Sequence, residues 1–160
     1  QLNLDNFLPG GWYRTGDIGC IDAEGFLIIT DRKKDIIIRG GENISSKEVE
    51  DILTHHPSVE EVAVTAMPDE RYGEKVCAFV RLKPGAQLTL DDVRLFFTQA
   101  GAARQKTPEI LRVVDDFPRT PSSKIKKFEL RKQLREAFEA EQARSLGAAA
   151  GAPGPNPTGA

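Results

Sequence analysis

Along the first forty residues, runs of branched and aromatic side chains alternate with turn formers. Residues 12–14, 17–21 and 26–30 are such runs, and Asp22-Ala23-Glu24-Gly25 divides the last two, which predicts a hairpin. A dense charge cluster, Asp31-Arg32-Lys33-Lys34-Asp35, separates this β system from Ile36-Ile37-Ile38, which leads into Arg39-Gly40-Gly41. Ser45 with Glu48 three residues on is a capping-box signature. Val49, Ile52 and Leu53 then recur on one helical face until His55-His56-Pro57, so the spacing predicts a helix over 46–55. Val62, Val64 and Ala66 alternate with polar partners in a strand predicted over 59–67, and a second run over 76–82 ends at Pro84-Gly85. Thr89 with Asp92 caps a helix carrying Leu90, Val93, Phe96 and Phe97, and a short strand follows over 110–114. A helix over 128–144, with Phe128, Leu130, Leu134 and Phe138 as its apolar stripe, closes the order. Helices and strands interleave without the strict repeat of a doubly wound sheet. The expected fold is therefore α+β, a small mixed sheet with packed helices preceded by a β segment.

Composition narrows the class. The chain has 160 residues, and a 39% apolar fraction is enough for one real core. With 22 basic against 24 acidic side chains the net charge is −2, which removes the positive field that a duplex-binding domain needs. No nucleic-acid partner is expected. Cys20 and Cys77 lie far apart, with neither metal-knuckle spacing nor the density of a disulfide scaffold, and this fits a reducing cytoplasm. No run reaches the roughly 20 apolar residues of a membrane span, so no transmembrane segment is expected. Residues 146–160 hold little besides Gly, Ala and Pro and read as a floppy tail. The start at Gln1 reads as a cut edge or a processed end.

Several segments can carry chemistry. In Arg119-Thr120-Pro121-Ser122-Ser123-Lys124-Ile125, Pro and paired Ser make an exposed turn, and Lys124 at its end can reach out on a flexible stem. The six cations from Lys124 to Arg135 read on composition as a solvated helix face; a basic stripe for RNA is a further reading, weakened by Phe128 being the segment's one aromatic and by the chain's net negative charge. Asp17, directly after Thr15-Gly16, either caps a turn or accepts two hydrogen bonds from a vicinal diol such as ribose. Arg32 has a planar fork suited to ribose and phosphate oxygens, but between Asp31 and Asp35 it is also an ion-pair candidate. Gly40 and Gly41 permit a close approach to the backbone or simply a turn. His55 and His56 point about 100° apart on a helix, so they cannot share one ion and read as structural. Cys77, in an apolar strand, reads as packed. No metal site is indicated.

The order and spacing of these pieces resemble the adenylate-forming acyl-CoA synthetases. Gly11 to Asp17, Asp31-Arg32-Lys33-Lys34-Asp35-Ile36-Ile37, Gly41-Glu42-Asn43-Ile44, Ser46 to Glu50, Pro68-Asp69 with Gly73-Glu74, and Pro118-Arg119-Thr120 with Ser123-Lys124-Ile125 carry the resemblance. It implies the carboxyl-terminal portion of a longer enzyme: 1–34 as the last strands of a large amino-terminal domain with the hinge, 35–145 as a small mobile domain, and 146–160 as the tail. It also implies two steps, in which ATP (with Mg) and a carboxylic acid give acyl-adenylate and pyrophosphate, and coenzyme A then displaces AMP. Lys124 would be the catalytic cation, Asp17 and Arg32 would hold the ribose hydroxyls, Lys34 would be the pivot, and Gly40 and Gly41 would lie beside the pantetheine channel. The implied partners are a fatty, alicyclic or aromatic acid, ATP, coenzyme A and the missing amino-terminal domain. Ser123 stands where the family usually has Gly, and Ile38 where some members carry a second Lys. The phosphate-binding loop and the acid pocket are absent from the chain, so it is not expected to turn over alone. The alternatives are an amino-acid or aryl-acid adenylation domain that loads a carrier protein, and a free-standing binding module using the basic face.

Overall fold

A computed structural model describes residues 6–150. Strands β1 (Asp17–Ile21) and β2 (Leu27–Arg32) form an antiparallel two-stranded sheet, with Asp17 opposite Arg32 and Ile21 opposite Leu27. Their loop is closed by Asp22, whose Oδ1 accepts the amides of Glu24 (2.9 Å) and Phe26 (2.8 Å). Of the expected run over 12–14, Tyr13 makes an isolated bridge with Phe7. A single 3₁₀ turn, Lys33–Asp35, leads out of this sheet. The charge cluster thus divides two β systems, as its position suggested.

The second sheet has five strands: β3 (Ile36–Arg39), β4 (Glu42–Ser45), β5 (Val59–Asp69), β6 (Gly73–Leu82) and β7 (Ile110–Val113). Strand β6 pairs antiparallel with β5 along one edge. On its other edge β3 meets its start, Arg39 opposite Gly73, and β7 runs parallel to its middle, from Cys77 opposite Ile110 to Val80 opposite Val113. The sheet is therefore mixed. Strand β4 is an addition to the sequence reading. Gly40 and Gly41 have φ of 58° and 88°, the pair of positive angles that a two-residue type I′ hairpin loop requires, and the loop folds β4 back onto β3. Ile37 and Ile44 are then cross-strand partners, both buried.

Three helices cover the sheet: α1 (Ser46–Thr54), α2 (Leu90–Gln99) and α3 (Lys127–Ala150). Ser45 Oγ accepts the Glu48 amide at the start of α1, and Thr89 with Asp92 forms a full capping box on α2. Val76, Ala78 and Val80 of β6 pack with Val49 and Leu53 of α1 and Val93 and Phe97 of α2. Cys77 and Phe79 point the other way, into a second cluster with Phe117 and with Leu130 and Leu134 of α3. Strand alternation thus serves two cores, with α1 and α2 on one face and α3 on the other.

Helix α3 corrects two expectations. Phe128 is 59% exposed rather than part of the apolar stripe, because two residues along a helix is a turn of about 200° and puts it opposite Leu130. The helix also continues to Ala150, five residues into the expected tail, where Ala148-Ala149-Ala150 supply the strongest helix former. Residues 151–160 of that tail lie outside the described ones. Among the described residues no helix is long and apolar enough to cross a membrane.

Two predictions follow from the core. Burial pushes the Cys77 thiol up to about 12, whereas Cys20 is exposed. A thiol reagent at about pH 8 is therefore expected to label one cysteine in the folded chain and two in denaturant, which mass spectrometry of the labelled peptides reads directly. His56 lies edge-on to Phe96, with ring centroids 4.8 Å apart, and its Nδ1 accepts the Ser58 amide. Burial holds this imidazole below the usual histidine value, so the unfolded chain takes the proton first. Its contribution is present above about pH 6.5 and is lost on acidification. The drop in urea midpoint between pH 7.5 and 5.5 should be smaller in His56→Gln than in the parent, and equal drops would refute it.

Candidate functional site

The loop before α3 is a tight, well-bonded turn. Arg119 and Ile125 form an isolated bridge, the Thr120 amide donates to Lys124 O (2.9 Å), and the Ser123 amide donates back to Thr120 O (2.9 Å). Thr120 Oγ1 also accepts the Lys124 amide (3.1 Å). Pro121 follows Thr120 inside this turn, where its fixed φ suits the first central position. Ser123 has φ of 61°, the one positive value among the described non-glycine residues. That left-handed backbone is where a glycine rests without strain, so the Ser before Lys124 costs about 1 kcal/mol of local conformational energy.

Both ends of the loop are braced. Arg119 grips Glu61 of β5 with two bonds, Nη1 to Oε1 at 2.9 Å and Nη2 to Oε2 at 2.5 Å. At the other end Lys127 Nζ lies 2.6 Å from Glu50 Oε1 and donates to Ser46 Oγ at 3.2 Å. Glu50 also accepts the Val64 amide at 2.6 Å. Desolvation raises the Glu50 carboxyl above its ordinary range, and Lys127 and the Val64 amide oppose that rise.

Ion pairs tie down four of the six cations. Lys126 pairs with Glu129, Lys127 with Glu50, Arg131 with Asp35 and Lys132 with Glu136. The face is therefore largely a set of internal ties rather than a free basic stripe. Lys124 and Arg135 differ: both are exposed, and among the described residues neither side chain has a hydrogen-bond or ion-pair partner. Arg135 projects from the middle of α3, whereas Lys124 stands on the braced loop, which thus presents an uncompensated positive charge to solvent.

The other expected site residues fall in two places. Asp17 and Arg32 are brought together, Arg32 Nε donating to Asp17 Oδ1 at 2.9 Å across the β1–β2 pair. Asp17 Oδ2 has no partner among the described residues and stays open to a further donor. Lys34 sits in the 3₁₀ turn directly after them, with its carbonyl accepting from Arg131 Nη1 (2.6 Å). Gly40 and Gly41 lie at the opposite end of β3, roughly 13 Å along the strand. Among the described residues no hydrogen bond or ion pair joins Lys124 to Asp17, Arg32 or the Gly40-Gly41 turn.

A groove of about 990 Å³ opens beside that turn, lined by Arg39, Tyr72, Arg94, Arg104 and Glu109 among others. Arg39 forks onto Glu109 at 2.8 and 3.0 Å and stacks 4.1 Å over the Tyr72 ring. Sequence reading missed this pair, as it missed Glu50–Lys127 and Arg119–Glu61. The partners are 70, 77 and 58 residues apart, and no local pattern marks them. Among the described residues no group of three or more His, Cys, Asp or Glu is placed to hold a metal ion.

Known proteins resemble the chain in sequence and in fold. Residues 48–124 match the family model of the AMP-binding enzyme C-terminal domain. The chain is 53% identical over 125 residues to the medium-chain fatty-acid–CoA ligase of Escherichia coli K12, covering 78% of this chain and 22% of that protein. It is 45% identical over 143 residues to a salicylyl-CoA synthase / salicylate adenylyltransferase of Streptomyces, covering 89% and 26%. Among solved structures, ATP-bound MatB from Rhodopseudomonas palustris superposes with a TM-score of 0.78 at 33% identity, over 86% of this chain and 27% of that one. The chain thus spans about a quarter of the length of the relatives it matches. Residues 48–124 are thus identified as an AMP-binding enzyme C-terminal domain, and the fold and the relatives agree with that over most of the chain's length.

Proposed function

We propose that the chain works as the mobile-domain part of an AMP-forming acyl-CoA synthetase, with 1–34 contributing the last strands of the larger domain and 35–145 the small domain. In the first step a carboxylate oxygen attacks the α-phosphorus of ATP, the bond to the β-phosphate oxygen breaks, and pyrophosphate leaves. In the second the sulfur of coenzyme A, having given up its proton, attacks the acyl carbon and AMP departs. The first step drives two anions together, so a cation between them stabilises the transition state more than the ground state. Lys124 is that cation in this reading. The observation that carries it is the unpaired, exposed ammonium on a loop braced at both ends.

Asp17 and Arg32, already paired, offer the open Asp17 Oδ2 and the Arg32 fork to the ribose hydroxyls. The side-chain-free Gly40-Gly41 turn leaves room for the thin pantetheine arm, and the arginine-lined groove beside it suits the anionic end of coenzyme A. Magnesium, which accompanies ATP, finds no three-ligand cluster among the described residues, and no step here is routed through it. Relatives named for a fatty acid and for salicylate are both coenzyme A ligases, which favours the thioester product over carrier loading and leaves the acid class as fatty or aromatic. The two free cysteines fit a cytoplasmic enzyme.

In the intact synthetase, Lys124→Ala is expected to slow pyrophosphate release by a factor on the order of 100. Thioester formation from supplied acyl-adenylate should remain within a few fold of the parent. Measuring the two half-reactions separately checks this, and an equal loss in both would remove Lys124 from the first step.

A further inference from the structure

The segment between the two sheets is held from both sides, and the two holds come from different bodies. Upstream, the Lys33 amide donates to Gly16 O at 2.8 Å and Arg32 is tied to Asp17, so residues through the Lys33 nitrogen are fastened to the β1–β2 sheet. Downstream, a single nitrogen of Arg131 on α3 donates to the Lys34 carbonyl at 2.6 Å and to Asp35 Oδ1 at 2.7 Å. The side chains of Arg131 and Asp35 are 24% and 13% exposed, so this charge-assisted pair is only partly screened by water. Between the two holds lie the backbone torsions of Lys33 and Lys34, in one turn of 3₁₀ helix.

We propose that Arg131 is a positioning residue that defines the pivot: by strapping the Lys34 carbonyl and Asp35 to α3 it makes everything from Lys34 onward turn with the small domain and confines rotation to Lys33 and Lys34. The inference rests on the two-step reading above. Lys124 lies three residues before α3 begins, so one helix carries both the reactive loop and the strap. An arm fixed at its pivot delivers its far end to a repeatable place, and a loose pivot scatters it.

Two measurements test the strap. In hydrogen exchange of this chain, Arg131→Gln should speed exchange of the amides over 33–37 about tenfold and leave those over 76–80 unchanged. In the intact synthetase the same variant should slow pyrophosphate release about tenfold at saturating acid, with KM for the acid within about twofold, because α3 holds the cation and not the acid. Arg131→Lys, which keeps a cationic donor, should recover most of both. Unchanged exchange over 33–37, a rise spread evenly through the small domain, or a lowered melting temperature with pyrophosphate release per folded molecule intact would each overturn the strap. Should Lys124→Ala leave pyrophosphate release untouched, the catalytic reading falls, while the exchange result still decides Arg131 in either direction.

Discussion

One carboxylate, Glu50, holds together three elements that share no covalent neighbourhood. It stands on α1, takes the Val64 amide from the free edge of β5, and pairs with Lys127 in the first turn of α3. Taking it out of water is costly, as its raised pKa shows, and the cost is offset because each of its partners also needs it. Val64 would otherwise leave a buried edge amide unsatisfied, and Lys127 would leave a half-buried ammonium unpaired. A fully buried pair broken from one side loses about 3–5 kcal/mol. With 22% and 17% of these side chains exposed, the loss here is smaller but still a large share of a small domain's stability. The turn bearing Lys124 inherits its position from this junction and from the Arg119–Glu61 fork.

Secondary structure was legible wherever local chemistry decides it. Caps at Ser45 and Thr89, alternation through Val62, Val64 and Ala66, and the stop at Pro84-Gly85 all act within a few residues, and the elements appear where those signals put them. Strand β4 was not legible because Ile44 is its one buried apolar residue, and a four-residue strand with one such residue exists only through its partner across the glycine turn. Phe128 misled because it is apolar and lies beside the stripe in sequence, while the residues at its own helical spacing, Arg131 and Lys132, are charged. The end of α3 was misjudged because a Gly/Ala-rich stretch satisfies the composition of a tail and, at 148–150, the propensity of a helix.

For the candidate site, sequence could name residue types but not their company. Lys124 and its neighbours Lys126, Lys127, Arg131 and Lys132 are indistinguishable as letters. They separate only when Glu129, Glu50, Asp35 and Glu136 come into range, two of them from far along the chain. The same holds for Asp17 and Arg32, where the ion-pair and ribose readings turn out to be compatible: the pair uses one carboxylate oxygen and leaves the other open. Ser123 shows the reverse case. An unusual letter ahead of Lys124 has a visible physical correlate in its left-handed backbone.

Strand β6 walls both apolar layers, Val76, Ala78 and Val80 facing one and Cys77 and Phe79 the other. Neither layer can melt without stripping the shared partition from its neighbour, so the small domain is expected to come apart in one cooperative event and not piecemeal. A body built this way turns as one piece, which is what the proposed swing about Lys33 and Lys34 requires.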